Sequence, residues 1–382
     1  MWANMRHLLS GNAQLVMRHE LDRLGFLGSC LLLLAGAGLA YAEGGRYAVQ
    51  WTCIALLLWA LVWQQSAQRL QLNRADADSP LYPSLGPANR LTILRGYLIA
   101  LTGGFFLQNS ATAWLLWLPA FFYSIAAILD RVDGFVARRT GQTSLLGTAL
   151  DNVFDALGLV VAPLLAVDLG KTHWSYLLVS VAYYAFHLGL RWRTRQQHAI
   201  YPMQPNKIRR TLAGFQMGYV AAVLWPPFHA EVTRLAGFAF MLPVLLGFAI
   251  DWCVVSGRLD FRKSQVTIFF QALTSWGQTS LPLLLRISFV GALAALLWGS
   301  DAASLVVVGY ALAALSVALG IAARMGALLA LLLLALLPIF DSSRLLFQAL
   351  LFISTWILLL GSGRFSLWLG DDDWVERHDG AV

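Results

Sequence analysis

The sequence predicts an all-α polytopic membrane protein with about twelve transmembrane helices and a six-helix core that holds the polar chemistry. Three observations predict it. Of 382 residues, 58% are hydrophobic and only 12% charged, with a mean hydropathy of +0.65; a soluble fold needs a polar shell, and this chain lacks the residues to build one. The apolar residues fall into runs of the length that crosses a bilayer as a helix. The cations separate onto alternate sides of those runs.

The runs, in order, begin with 25–42 and 47–63, preceded by a lead holding Arg6, Arg18 and Arg23. That lead has no early apolar stretch ending in a small-residue cleavage site, so it reads as an interfacial approach to the first span and not as a signal peptide. A polar stretch over 64–88 follows, with Asp76, Asp78, Pro80, Pro83 and Pro87 breaking any helix. Six runs come next, at 91–107, 111–129, 148–167, 174–190, 211–225 and 235–255. A polar, amphipathic stretch reaches to about 280 and is expected to lie at the interface. Four very apolar runs close the chain, at 281–298, 303–320, 325–340 and 345–360, before a tail with Asp371–Asp373. The expected domains are a two-helix lead with its polar linker (1–88), a six-helix core (89–256), an interfacial linker (257–280) and a four-helix membrane domain with a short polar tail (281–382).

Alternating these spans from a cytoplasmic N-terminus places 22 of the 27 Lys and Arg residues inside and Arg46, Lys171, Arg234 and Arg344 outside, with Arg286 within a span. This is the positive-inside asymmetry. It accounts for the net charge of +7 without nucleic acid, because the basic residues are scattered between spans and form no soluble patch. Cys30, Cys53 and Cys253 lie in apolar runs without metal-ligand spacing, which gives them no redox or metal role. Arg286 and Asp251 sit near span ends and are expected to snorkel to the interface; His187, among aromatics, reads as a packed core histidine.

Polar chemistry concentrates between residues 130 and 155. Asp130 and Asp133 are three apart at the end of one helix, and Asp151 and Asp155 four apart at the start of the next. Each spacing puts a pair on one helix face. The short connection lets the helices run as antiparallel neighbours, so four carboxylates meet at the cytoplasmic edge of the membrane. Clustered carboxylates in a low dielectric repel one another, and Mg²⁺ or Mn²⁺, which take oxygen ligands, relieve the repulsion. Two such ions about 3.5–4 Å apart clamp an in-line displacement at phosphorus. Gly134, Ala137 and Gly147 leave room for a bulky anion, and Arg138 presents a fork of donors suited to phosphate. Taken alone, Asp151 reads as a helix cap, Gly147 as a helix-start glycine and Arg138 with Arg139 as topology signals.

The eight positions Asp130, Asp133, Gly134, Ala137, Arg138, Gly147, Asp151 and Asp155, at this spacing, fill the signature of the CDP-alcohol phosphotransferases. The segment Pro87–Arg95 is similar to the start of that family's first core helix. The resemblance covers about residues 87–256 and neither flank. It implies a CDP-alcohol donor, often CDP-diacylglycerol, a hydroxyl acceptor, two divalent ions and the release of CMP. By the same resemblance Asp130, Asp133, Asp151 and Asp155 are metal ligands, Asp155 is also the general base, and Gly134, Ala137, Arg138 and Gly147 line the nucleotide site with Asn89 and Thr92. A homodimer in a bacterial-type inner or plasma membrane is also implied. The basic run 191–210 has two readings: topology plus attraction to anionic headgroups, or an acceptor-phosphate pocket built on Arg191, Lys207, Arg209 and Arg210, as in relatives with phosphorylated acceptors.

Two short pieces near the end, Gly320–Arg324 and Gly361–Leu367, resemble those of DoxX-like four-helix membrane proteins; a plain membrane anchor is the alternative for that region. The rival functions are a secondary transporter, which the span count allows, and a non-catalytic membrane scaffold. A transporter places ionisable groups near mid-membrane in repeated halves, whereas these acids cluster at one edge.

Overall fold

A computed structural model describes residues 2–108, 112–203, 207–259, 268, 272–273, 275–298, 304–336, 344–368 and 370. Side chains before Asn12, those of 207–210 and that of Arg344 are outside the description, as are most of the expected interfacial linker and the acidic tail. The regular structure of the described residues is all helical, with no strand among them beyond one isolated bridge, Ile321 with Trp368. The all-α class is therefore observed. Among the described residues, five helices are long and apolar enough to cross a membrane: Asn12–Glu43, Gly45–Ala67, Leu145–Asp168, Ala230–Val255 and Ser280–Leu297. Thr211–Val223, Ser304–Leu319, Ala323–Leu336 and Leu345–Leu360 are apolar but shorter. A membrane-embedded protein follows from these, while twelve crossings do not. Of the three helices that carry the site, Leu145–Asp168 belongs to the first group, while Gly86–Gly103 and Trp117–Arg139 fall outside both, because their Arg and Asp residues lower the hydropathy.

The chain divides into two compact units, Met1–Gly170 with Val220–Pro226, and Lys171–Tyr219 with Pro227–Val382. In the first unit, α1 (Trp2–Glu43) and α2 (Gly45–Ala67) form a hairpin turned at Gly44, whose φ of 93° favours glycine. The expected interfacial lead is continuous with the first span as one helix. Leu31, Leu33, Leu34 and Tyr41 are exposed along α1, a face that suits hydrocarbon and not water. The next helix, α3 (Gly86–Gly103), is the axis of the unit and packs on α2, α4 (Trp117–Arg139) and α5 (Leu145–Asp168). Gly96 makes the close approach possible: a Cβ there would stand 2.7 Å from Val62 and 3.3 Å from Phe154. Polar side chains that point from the middle of α3 are consequently buried.

The stretch between α2 and α3 is an ordered loop. Asp76 accepts from the backbone amides of Asp78 and Ser79, and its bonds to Ser79 hold its carboxyl below the usual range.

In the second unit, α6 (Leu177–Arg195) packs on α8 (Ala230–Val255), and α7 is Lys207–Val223. Four further helices, α9 (Ser280–Leu297), α10 (Ser304–Leu319), α11 (Ala323–Leu336) and α12 (Arg344–Leu360), close into a ring, with α12 returning to α9 and also meeting α8. Two expectations are corrected here. Arg286 does not reach an interface: it is buried in α9 and donates to the carbonyls of Val317 (2.8 Å), Ala318 (2.7 Å), Ser362 (3.3 Å) and Phe365 (2.7 Å). The last carbonyls of α10 have no amide four residues on to bond, although Val317 O also accepts from Gly320 N at 3.2 Å, and a guanidinium has five donors to offer them. Asp251 is likewise buried. Arg324 repeats the arrangement on α12, donating to Leu358 and Leu359. The pieces Gly320–Arg324 and Gly361–Leu367 meet, with Leu367 N bonded to Leu319 O and Trp368 N to Gly320 O. His187 does lie among aromatics, 4.3 Å from the Tyr183 ring, but it is exposed, with Nδ1 at 2.9 Å from Tyr183 O. The three cysteines are free.

Candidate active site

Three helix segments of the first unit build the site. The start of α3 carries Asn89, Thr92 and Arg95 at intervals of three, on one face. The C-terminal turns of α4 carry Asp130 and Asp133. The N-terminal half of α5 carries Asp151 and Asp155, two and three turns beyond the N-cap Ser144, whose Oγ accepts from Gly147 N at 3.0 Å. Because α3 packs on both α4 and α5, side chains from its middle enter between the carboxylates.

Arg95 occupies that position, and its side chain is only 2% exposed. One guanidinium nitrogen donates to an Asp130 carboxylate oxygen and to Asp151 Oδ1 at 2.8 Å. The other donates to Asp151 O and Asp155 Oδ1, each at 3.0 Å. Asp133 Oδ2 lies 3.8 Å from Arg95 and accepts from Thr92 Oγ1 at 2.7 Å. Charged hydrogen bonds of this kind are stronger than neutral ones, and the planar fork fixes both carboxylates at once. Sequence reasoning placed Arg95 among the inside cations and at the end of the Pro87–Arg95 segment but gave it no role; its place on the Asn89-Thr92 face was the available signal.

Of the predicted metal ligands, Asp130, Asp151 and Asp155 converge, each offering an oxygen within 4.8 Å of the others. Oxygens so spaced fit the coordination shell of a small divalent cation. Asp133 stands beside the triad, held by Thr92. Among the described residues this is the one group with metal-ligand spacing. Asp151 and Asp155 are nearly half-exposed, so a ligand can reach them, while Arg95 closes the site from beneath.

The predicted nucleotide residues divide. Asn89 is buried and Ser144 Oγ lies 3.3 Å from its amide, beside Gly147, where a Cβ would stand 3.0 Å from Asn89 Oδ1. Only glycine leaves that contact undisturbed. Thr92 bonds Asp133 and the carbonyl of Ala88. Gly134, Ala137 and Arg138 follow Asp130 by about one and two turns on the same face of α4; Gly134 and Ala137 are half-buried, Arg138 is exposed, and a Cβ at Gly134 would meet only Arg138, at 3.4 Å. Arg191 is exposed in the second unit. The side chains of Lys207, Arg209 and Arg210, on the first turn of α7, lie outside the described residues.

Residues 86–249 match the model of the CDP-alcohol phosphatidyltransferase family. Members use divalent metal ions, a CDP-alcohol donor and an alcohol acceptor. Comparisons with curated proteins and with solved structures returned no match.

Proposed function

We propose, from a chain with this family match within a bundle of apolar helices, that the protein is a membrane phosphotransferase that moves a phosphatidyl group from CDP-diacylglycerol to a hydroxyl acceptor and releases CMP. The observation that carries the reading is the convergence of Asp130, Asp151 and Asp155 inside the matched segment. In this reading Asp130, Asp151 and Asp155 hold Mg²⁺ or Mn²⁺, with Asp133 completing the acidic set from its bond to Thr92. The bound cation supplies charge neutralisation for the diphosphate and for the charge that develops on it during transfer.

Asp155 is the general base. Its carboxylate takes the proton of the acceptor hydroxyl as the new O–P bond forms at the β-phosphorus and the anhydride bond to the α-phosphate breaks, so that CMP departs with the bonding electron pair. Arg95 is a positioning residue: it spans Asp130, Asp151 and Asp155 and keeps their oxygens turned to one point. Asn89 and Gly147 border the nucleotide, with Gly134, Ala137 and Arg138 on the open side of α4. The basic run 191–210, through Arg191, Lys207, Arg209 and Arg210, supports an anionic acceptor by its charge. The active site faces the cytoplasm in the topology that the cations favour.

The test is purified protein supplied with CDP-diacylglycerol, Mg²⁺ or Mn²⁺, and separately glycerol phosphate, inositol phosphate, inositol and serine, scored by CMP release. Release that depends on one acceptor is expected. No release with any of them, from protein that is folded and metal-loaded, overturns the assignment.

A further inference from the structure

Asn73 lies outside the segment that matches the family, in the loop between α2 and α3, and is fully buried. Its Nδ2 donates to Ser84 O at 2.8 Å and approaches Met17 Sδ of α1 at 2.9 Å. Its Oδ1 accepts from Asn89 Nδ2 at 2.9 Å. Asn89 Nδ2 has a second acceptor in Leu85 O at 2.7 Å. An asparagine amide can present either end to its surroundings, and its partners choose which. Ser144 Oγ stands 3.3 Å from both Asn89 Nδ2 and Asn89 Oδ1; with Asn73 Oδ1 and Leu85 O taking the two amide hydrogens at shorter range, Oδ1 is the end left to accept from the Ser144 hydroxyl and to face Gly147.

The same loop also holds the α4–α5 turn. Leu145 N bonds Arg74 O at 2.9 Å, Tyr82 N bonds Asn73 O at 2.8 Å, and Tyr82 Oη donates to Thr143 O at 3.2 Å. The lead helix braces the far side: Glu20 accepts from Leu85 N at 3.2 Å and pairs with Arg90 at 3.2 Å. Ser144 caps α5, and Asp151 and Asp155 follow it by seven and eleven residues, close to whole helical turns, so the capped start sets the face on which those carboxylates stand.

We infer that Asn73 is a positioning residue for the nucleotide site, through Asn89 and the Ser144-capped start of α5, and that the loop over 73–85 belongs to the catalytic unit although it lies outside the family segment. This rests on the reading above that Asn89 and Gly147 border the nucleotide. It assigns a function to residues that sequence reading left as a linker.

The experiment uses the purified full chain, CDP with Mg²⁺ as the probe, and calorimetric affinity alongside the thermal melting midpoint. Asn73→Ala is expected to weaken CDP roughly three- to tenfold, the range of one well-placed hydrogen bond, and to raise the donor KM while kcat stays within about twofold. A lower melting midpoint with unchanged CDP affinity marks a purely structural residue and overturns the inference. Asn89→Ala separates the layers: if it loses CDP binding while Asn73→Ala does not, the inference fails and the site reading stands; if neither changes affinity, the nucleotide placement fails and takes the inference with it. Tyr82→Phe removes only an exposed hydroxyl and keeps the question open to measurement if Asn73→Ala does not fold. It is expected to weaken CDP up to about threefold in the same direction, and wild-type affinity in it then overturns the inference.

Discussion

A single guanidinium decides how the acidic cluster holds together. Four carboxylates drawn from two helices would repel one another, and Arg95, buried beneath them, bonds three and stands near the fourth. Arg95→Gln leaves those acids without their counter-cation; breaking a buried pair costs about 3–5 kcal/mol, and the lower end is expected because Asp151 and Asp155 are nearly half-exposed. Unfolding of the metal-free protein in detergent measures it, and Arg95→Lys should recover only part of the loss, because an ammonium cannot span the carboxylates as the fork does. Asp155→Asn tests a different role: CDP-lipid binding should persist while CMP release falls by roughly 10² or more, and undiminished turnover would remove Asp155 as the base. The aspartates were legible in the sequence because their intervals of three and four record a helix face directly. Arg95 was less so: its spacing from Asn89 and Thr92 marks a shared face, but its acidic partners lie 35 to 60 residues away, so nothing local names them.

Helices were easier to read than what they meet. The apolar runs of α1, α2, α5, α8 and α9 were evident from length and composition, whereas α3 reads as one span among many and is in fact the axis on which α2, α4 and α5 pack. Gly96, beside Arg95, permits that approach. The C-terminal ring shows a related gap between sequence and structure. Arg286 near a span end reads as a snorkelling residue, but four carbonyls at the end of α10 and after α12 hold it inside. Arg286→Met strands those carbonyls, each at about 1–3 kcal/mol when buried, so its melting midpoint in detergent should fall well below that of the wild type. An unchanged midpoint would mean the carbonyls find other donors.

At the scale of the whole molecule, composition disclosed the solvent before any motif disclosed the chemistry. A chain with 12% charged residues places few acids by accident, and three of its 20 acidic residues converge on one point. If those three hold the cation, chelation with EDTA should stop CMP release and Mg²⁺ or Mn²⁺ should restore it. The melting midpoint should also rise with metal, by linkage worth about 2.7 kcal/mol at a hundredfold excess over Kd. Turnover that survives chelation would refute the metal site. Packing joins the lead, the loop over 73–85 and α3 to α5 in one unit, and sequence composition gives that loop no sign of belonging to it.

Arg286 also sets a timetable for biogenesis. Two of its four acceptors, Ser362 and Phe365, lie 76 and 79 residues further along the chain. During synthesis α9 would be in place long before those carbonyls emerge, and a chain released after α12 would have every helix of the ring yet leave half of the guanidinium's acceptors missing. Residues 362–365 thus complete the guanidinium's acceptor set, and a chain that stops short of them leaves the buried charge with two of its four carbonyls.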